Sequence, residues 1–287
     1  MQGSLPVRRR ALRVASASAI LVFAFLLYGV EQLPIWPAEL VHSPHVIQTG
    51  EELVYEVTWT LFKLGQIRLK TVRSTVENGE VRYTCVAFID SYRGLPFIDF
   101  HSISSTFMDS TLYSIESHSI ENRKGEWWKR IYRFDKSARL FITEHDWLKD
   151  LKSEPYKPPS FDTLRIAWEK FQDGISLFYY ARAHVHEKKS VAVPTIVNGK
   201  PGRTLFYFTG SKKIETIDSV PDPIRVVELE GKAEFEGVFG LTGDFKGWFT
   251  DDEAAVPVRA QMKVILGNIN IELIGWDRKG WSPPQEP

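Results

Sequence analysis

Alternation with a period of two residues is the feature that most limits what this chain can fold into. Leu53, Tyr55, Val57 and Trp59 alternate with Val54, Glu56, Thr58 and Thr60. Successive side chains of a strand point to opposite faces, so this spacing predicts a half-buried strand rich in aromatic and β-branched residues. A second strand, from Gln66 to Val76, reaches Asn78-Gly79, the dipeptide that best supplies the positive φ angles of a tight hairpin turn. Val81 to Phe88 then returns antiparallel. The pattern recurs at Tyr113 to Ile120, Trp127 to Phe134 and Leu140 to Thr143. In the second half Val227, Leu229, Ala233 and Phe235 oppose Glu228, Glu230, Lys232 and Glu234. Val256, Val258, Ala260, Met262, Val264 and Leu266 likewise oppose Arg259, Gln261 and Lys263, before Gly267-Asn268 turns the chain into Ile269 to Ile274.

One helical stripe interrupts these strands. Leu164, Trp168, Phe171, Ile175 and Phe178 are spaced four, three, four and three, which predicts one buried helix face. Asp162 is in place to act as N-cap or first-turn acid, and Gly174 to break the stripe. The expected fold is therefore β-rich: a strongly curved antiparallel sheet or open β-barrel around one helical insert at about 161–183. One domain is expected over 50–278, since no linker separates its halves, with a tail at 279–287.

The N-terminus sets the compartment. Arg8, Arg9, Arg10 and Arg13 precede an uncharged run from Val14 to Val30. A positive segment before an apolar one is an export signal, and positive-inside bias keeps the arginines in the cytoplasm. Residues 1–30 thus read as a signal peptide or signal anchor, with retention favoured because no small-x-small pair follows the apolar run. Residues 31–49, with Pro34 and Pro37, form a linker. The domain is expected in the periplasm, anchored in the inner membrane. Cys85 is the sole cysteine, so no intramolecular disulfide exists and the core holds the fold unaided. It reads as a small buried hydrophobe. Lys+Arg and Asp+Glu are equal at 36 each, so no basic field recruits nucleic acid.

Three stretches carry a resemblance together: Gly50-Glu51-Glu52-Leu53-Val54-Tyr55-Glu56-Val57 with Leu64-Gly65-Gln66-Ile67, then Asp173-Gly174-Ile175-Ser176-Leu177-Phe178-Tyr179-Tyr180-Ala181-Arg182, then Gly247-Trp248-Phe249-Thr250-Asp251-Asp252 running to Val256-Pro257-Val258. In order and spacing the chain resembles a bacterial family, domain of unknown function 3108. The resemblance implies a periplasmic or outer-membrane-associated β protein, brings no catalytic residue, and in overall plan is similar to curved-sheet periplasmic lipid and lipoprotein carriers.

Catalytic and metal motifs are missing: there is no Gly-x-Ser-x-Gly, His-Glu-x-x-His, phosphate loop or spaced cysteine pair. No enzyme activity, cofactor or metal is expected. Asp251, Asp252 and Glu253 read as a turn between strands, and His184 with His186 lacks a third ligand. Large rings are more suggestive. Trp59, Trp127, Trp128, Trp168, Phe178, Tyr179, Tyr180, Trp248 and Phe249 exceed what a filled core of this size needs, and such rings with a few polar groups line pockets for apolar ligands. The candidate ligand-binding set is Trp59, Phe178, Tyr179, Tyr180, Arg182, Trp248 and Asp251, with Tyr180 and Arg182 as polar anchors. Arg182 has a second reading, as the structural partner of an acid such as Asp251. Two functions follow: a binding protein that carries or senses a lipid or other amphiphile in the curve of the sheet, or an envelope scaffold with a filled core that recruits another envelope protein.

Overall fold

The computed structural model describes residues 45–95, 98–123, 125–235, 242–264 and 267–286. The signal or anchor segment and most of the linker lie outside the described residues. Among the described residues fourteen strands form one antiparallel sheet: β1 (Glu52–Trp59), β2 (Phe62–Glu77), β3 (Glu80–Ser91), β4 (Phe100–Asp109), β5 (Ser114–Arg123), β6 (Glu126–Asp135), β7 (Leu140–Leu148), β8 (Ser160–Arg165), β9 (Lys189–Val197), β10 (Lys200–Glu215), β11 (Ile224–Ala233), β12 (Gly243–Thr250), β13 (Pro257–Lys263) and β14 (Asn268–Asp277). Helix α1 (Gly174–His184) separates β8 from β9.

Each half is a simple meander, β8 back to β1 and β14 back to β9, and the pairing of β1 with β14 joins them. The two Asn-Gly pairs make hairpins as their φ angles require: Asn78 and Gly79 at 53° and 82°, Asn198 and Gly199 at 54° and 72°. The sheet curls without closing, for β8 and β9 are edges that do not pair. Each edge is blunted. β9 carries Pro194, and Gln172 bridges to Thr195 beside it. β8 exposes every residue and carries Asp162 and Arg165.

How far the sheet curls follows from what touches what. Tyr179 packs with Leu69, Cys85 and Met108 of the first half, whereas Tyr180 packs with Val191, Phe206, Leu229 and Phe249 of the second. One short helix therefore plugs the curve from both sides. Near the edges, Ile196 of β9 packs with Tyr132 and Phe141 of β6 and β7. Gly199 approaches Tyr132 and Thr143 so closely that a Cβ there would lie in van der Waals contact with them, at 3.5 and 3.6 Å.

The helix is shorter than the stripe predicted, and its placement corrects the insert at 161–183. Residues 160–165 form edge strand β8, where Leu164 is partly exposed, and Asp162 caps nothing, facing His145 at 3.1 Å instead. Phe171 and Trp168 pack in the cluster of Tyr132, Phe141 and Ile196 before the helix begins. The true start signal is Asp173-Gly174-Ile175-Ser176. One Asp173 carboxylate oxygen accepts from the backbone N–H groups of Ile175 and Ser176, both at 2.8 Å. The Ser176 hydroxyl accepts from the Asp173 N–H, completing a capping box. The other Asp173 oxygen accepts from the hydroxyls of Thr106 and Ser114, fastening the helix to β4 and β5. Gly174 begins the helix rather than breaking it. The stripe rule failed because α1 is buried on several sides, with Ser176, Tyr179, Tyr180, Ala181, Arg182 and His184 all enclosed. A helix enclosed by a sheet has no wet face for a single stripe to mark.

Asp173→Ala is expected to cost about 2 kcal/mol or more, because it removes a cap and leaves the Thr106 and Ser114 hydroxyls without their acceptor. Asp162→Ala should stay within ~0.5 kcal/mol, as for an exposed site. Urea unfolding midpoints compare the two, and equal losses would refute this capping assignment.

Candidate functional site

Arg182 shows what the helix end is for. Its guanidinium is 0% exposed and grips Glu51 bidentately, Nη1 to Oε1 at 2.6 Å and Nη2 to Oε2 at 3.1 Å. Nε and Nη2 also donate to the carbonyl of Ala254, at 3.2 and 2.9 Å. Arg278 brings a second guanidinium to Glu51 and donates to the carbonyl of His45. Burial raises the Glu51 pKa, but the charges and hydrogen bonds of Arg182 and Arg278 outweigh it and hold the carboxyl below its ordinary value.

Arg182 is therefore the structural partner of a buried acid, and that acid is Glu51 rather than Asp251. Its donors are turned to protein groups, so it does not serve as the head-group anchor. Asp251 instead meets Lys212 at 2.8 Å and His186 at 3.7 Å. Asp252 organises the turn by accepting from Thr250, Ala255 and the Trp281 indole. His184 closes the helix and His186 lies beyond its C-cap, so the two do not lie along one strand face. Among the described residues no three His, Cys, Asp or Glu side chains gather as a metal centre needs.

The other candidates scatter. Tyr179 bonds the Thr71 hydroxyl at 2.8 Å and is fully buried. Tyr180 lies against His184, Tyr113 and Phe206 in the core. Phe178 packs edge-on to Tyr55 and Tyr179. Trp248 is paired across strands with Glu228 and Arg259, so it shares their face, opposite to Phe249, which packs with Tyr180. Trp59 stands at the end of β1 beside Phe62. Phe178, Tyr179, Tyr180 and Arg182 come together on α1: Tyr179 and Tyr180 are core, Phe178 is half-buried and packs, as Trp248 does, against the cluster of Leu53 and Tyr55, and Arg182 is closed in its ion pair.

The inner face beyond the helix has a different chemistry. Residues paired across strands share a face, so the face can be read along lines of partners. The line nearest the helix runs Thr71, Cys85, Thr106, Ser117, Tyr132, Thr143. Thr71 and Thr106 fix it as inward, since they bond Tyr179 and Asp173. The next line runs Leu53, Leu69, Ala87 and then Ser104, Ser119, Arg130, His145. The one beyond runs Leu273, Tyr55, Ile67, Ile89 and then Ser102, Glu121, Trp128, Trp147. On β4 and β5 the inner face is polar through Ser102, Ser104, Ser119 and Glu121, on β6 and β7 it mixes Arg130 and His145 with Trp128 and Trp147, and β10 to β1 keep it apolar through Phe208, Leu229, Gly247, Ala260, Ile271 and Val57. Ile67, Ile89, Ser104, Trp128 and Ile271 are half-buried, so this split surface is in reach of solvent. On it Arg130 faces Glu121 at 3.4 Å, with side chains 14% and 10% exposed, and lies 4.9 Å over the Trp128 ring.

Sequence reading missed Ser102, Ser104, Ser119, Glu121 and Arg130. The signal lies in the alternate polar positions Ser102, Ser104 and Thr106 of β4 and Ser117, Ser119 and Glu121 of β5. It was passed over because alternation was read for apolar residues on the inside, and here Ile103 and Phe107 occupy the outward positions.

The family described as "Protein of unknown function (DUF3108)" matches residues 54–274. A β-barrel-like protein of domain of unknown function DUF1849 from Brucella abortus is similar in fold, with 9% identity over 81% of this chain and 98% of that one and a TM-score of 0.51. A protein with a YmcC-like fold from Bacteroides fragilis aligns at 8% identity over 80% and 97% of the two chains, with a TM-score of 0.31. No curated protein matches the chain.

Arg182→Ala is expected to destabilise the fold by roughly 3–5 kcal/mol by stranding Glu51. Since the Glu51 pKa is depressed on folding, its stabilisation is full above the unfolded carboxyl value and is lost as pH falls through the folded one. Glu51→Gln should therefore flatten the acid limb of a stability-against-pH curve. Thermal melts across the acid range decide it, and a curve unchanged by the substitution would refute the assignment.

Proposed function

The chain belongs to the DUF3108 family of proteins of unknown function, and we propose that it is a non-enzymatic binding protein of the bacterial envelope that holds a lipid or other amphiphile against the concave face of its sheet. One observation carries the reading: beyond the helix, that face is apolar from β10 round to β3, polar on β4 and β5 through Ser102, Ser104, Ser119 and Glu121, and mixed on β6 and β7, where Arg130 and His145 lie beside Trp128 and Trp147. A core needs no such division, because interior polar groups cost free energy unless they are paired. An amphiphile does need it, since its chain and its head group seek opposite surroundings. The β1–β2 hairpin adds support, with Leu61 95% and Phe62 62% exposed at its tip. This tip and Trp59 lie at the end of β1 opposite Glu51, away from the buried ion cluster.

The proposed address is the periplasm, with the segment at 1–30 as anchor. Its support is the arginine cluster before an apolar run. Among the described residues no helix is long and apolar enough to cross a membrane. The scaffold alternative has its own observation, the exposed edge strand β8 with Phe161 59% exposed, which offers strand addition to a partner.

Native mass spectrometry of the full chain, released from membranes in a mild detergent, should show a bound species of lipid mass at near-unit stoichiometry. A protein that carries no adduct, and takes up neither phospholipid nor an apolar fluorescent probe, would sink the carrier reading and leave the scaffold one.

A further inference from the structure

We propose that the tip of the β1–β2 hairpin, Leu61 and Phe62 with Trp59 behind them, docks this protein on a bilayer surface that carries anionic head groups. The inference goes beyond the carrier reading, which concerns the inside of the sheet.

The turn itself is the first observation. Trp59 pairs with Phe62, so Thr60 and Leu61 are the two central residues of the hairpin. Thr60 holds a φ of 53°, in the left-handed region that strains a β-branched residue and is ordinarily left to Gly, Asn or Asp. Leu61 is 95% exposed and Phe62 62%. Hairpin turns are ordinarily polar as well as permissive, so neither central residue is what turn formation alone selects. The backbone is nevertheless held. The Thr60 N–H donates to the carbonyl of Asn268 at 3.3 Å, and Gly267 leaves room for the Thr60 methyl, where a Cβ would collide at 2.7 Å.

Neighbouring connections share this end of the sheet. Because every pairing is antiparallel, β1, β3, β5 and β7 all finish where the tip lies. Among the described residues, the large apolar side chains exposed in connections between strands are Leu61, Leu151 and Tyr156, and all three are at this end. The described chain begins at the opposite end, where Arg278 donates to the His45 carbonyl, so the residues leading into β1 do not cover the tip.

Charge points to the same partner. The charged residues of the turns at 59–63, 91–95 and 263–268 are Lys63, Arg93 and Lys263, all basic. The Tyr92 N–H donates to the Leu64 carbonyl at 2.9 Å, which sets Arg93 beside the tip, and Lys263 pairs with Asn268. Lys63 is taken by Glu56 at 2.7 Å, but Arg93 and Lys263 are exposed and meet no carboxylate among the described residues. Trp with Lys and Arg beside apolar groups is the composition of a membrane interface, and each cation near an anionic leaflet adds attraction. Area separates a bilayer from a protein partner. Leu61 and Phe62 offer together on the order of 300 Å² of side chain, whereas a stable protein interface takes about 800 Å² from each partner. So small a tip serves at a lipid surface when a second membrane signal is present, and the apolar run at 14–30, read above as an anchor, is that signal.

Quenching by lipid tests this with the full chain in liposomes of phosphatidylcholine and phosphatidylglycerol that carry a doxyl-labelled lipid. Protein-free vesicles of the same composition are added, so that either bilayer registers. A nitrobenzoxadiazole probe goes on Leu61→Cys or, as the control towards the other end of β2, on Val76→Cys, where the side chain is 71% exposed. Cys85 does not compete for the probe, since it is fully buried and burial pushes its thiol up to about 12. The probe at position 61 is expected to be quenched and the probe at position 76 to stay in water. Phe62→Ser should lower the ratio of docked to free tip about tenfold. Arg93→Gln with Lys263→Gln should lower it about fivefold per cation, and all these variants should keep the wild-type melting temperature. Equal quenching at the two positions would overturn the proposal. So would quenching at position 61 that Phe62→Ser and the charge variant both leave unchanged, because the probe alone would then drive insertion. The carrier reading is judged separately: a lipid adduct without quenching at the tip removes this proposal and leaves the carrier, and quenching without an adduct does the reverse.

Discussion

The buried contact among Arg182, Glu51 and Arg278 is the constraint on which the rest of the structure depends. Four parts of the chain meet there: the lead into β1 at Glu51, the end of α1 at Arg182, the turn after β12 at Ala254 and the tail after β14 at Arg278. Removing a carboxylate and a guanidinium from water costs several kcal/mol each, and only near-complete hydrogen bonding in good geometry offsets it. The bidentate grip, the Ala254 carbonyl and the second guanidinium supply that geometry. The pair is therefore weak evidence of net stabilisation and strong evidence of a fixed register. With β1 joining β14 at the same place, it sets where the helix sits in the curve and how much of the inner face it covers.

Strands were legible in the sequence where their inward positions are apolar. Leu53, Tyr55 and Val57 of β1, and Val227 and Leu229 of β11, follow the alternation that burial requires, and Asn78-Gly79 marks its hairpin by backbone sterics alone. The same dipeptide at Asn198-Gly199 marks another hairpin, between β9 and β10. It was overlooked because Val191 to Val197 is apolar at nearly every position, as befits a strand buried on both sides, and so shows no alternation. The helix was legible in kind but not in extent. Its stripe borrowed Leu164, Trp168 and Phe171 from a strand and an irregular segment, whereas the capping box at Asp173 and Ser176 marked its start more reliably. Local chemistry at a helix terminus survives burial; periodicity does not.

The candidate site was legible only as an excess of aromatic rings and a suspicion about Arg182. Rings proved a poor guide because a curl this tight uses them as filler. Gly231 and Gly247, for instance, lie under the rings of Phe245 and Phe249, where a Cβ would collide at 2.3 and 2.8 Å. The residues that divide the inner face are serines, which carry no hydrophobic signal and are common in turns. Their meaning comes from register: Ser104 beside Ser119 beside Arg130 is a statement about three strands, and pairing of that kind is not written in any one of them.

The distribution of polar groups then follows from where each can be satisfied. At the helix end the charges are closed in by protein, since Glu51 has two guanidinium partners and Arg182 a carboxylate and a carbonyl. Such a cluster has little left to offer a ligand, and moving it would loosen β1, α1 and the tail together. On the far part of the inner face Arg130 and Glu121 lie 3.4 Å apart beside the Trp128 ring, with the Ser102 and Ser104 hydroxyls bonded to each other, and several of their neighbours are half-buried. A guanidinium whose donors the fold consumes, as at the helix end, fixes register, which is why Arg182 is a structural residue.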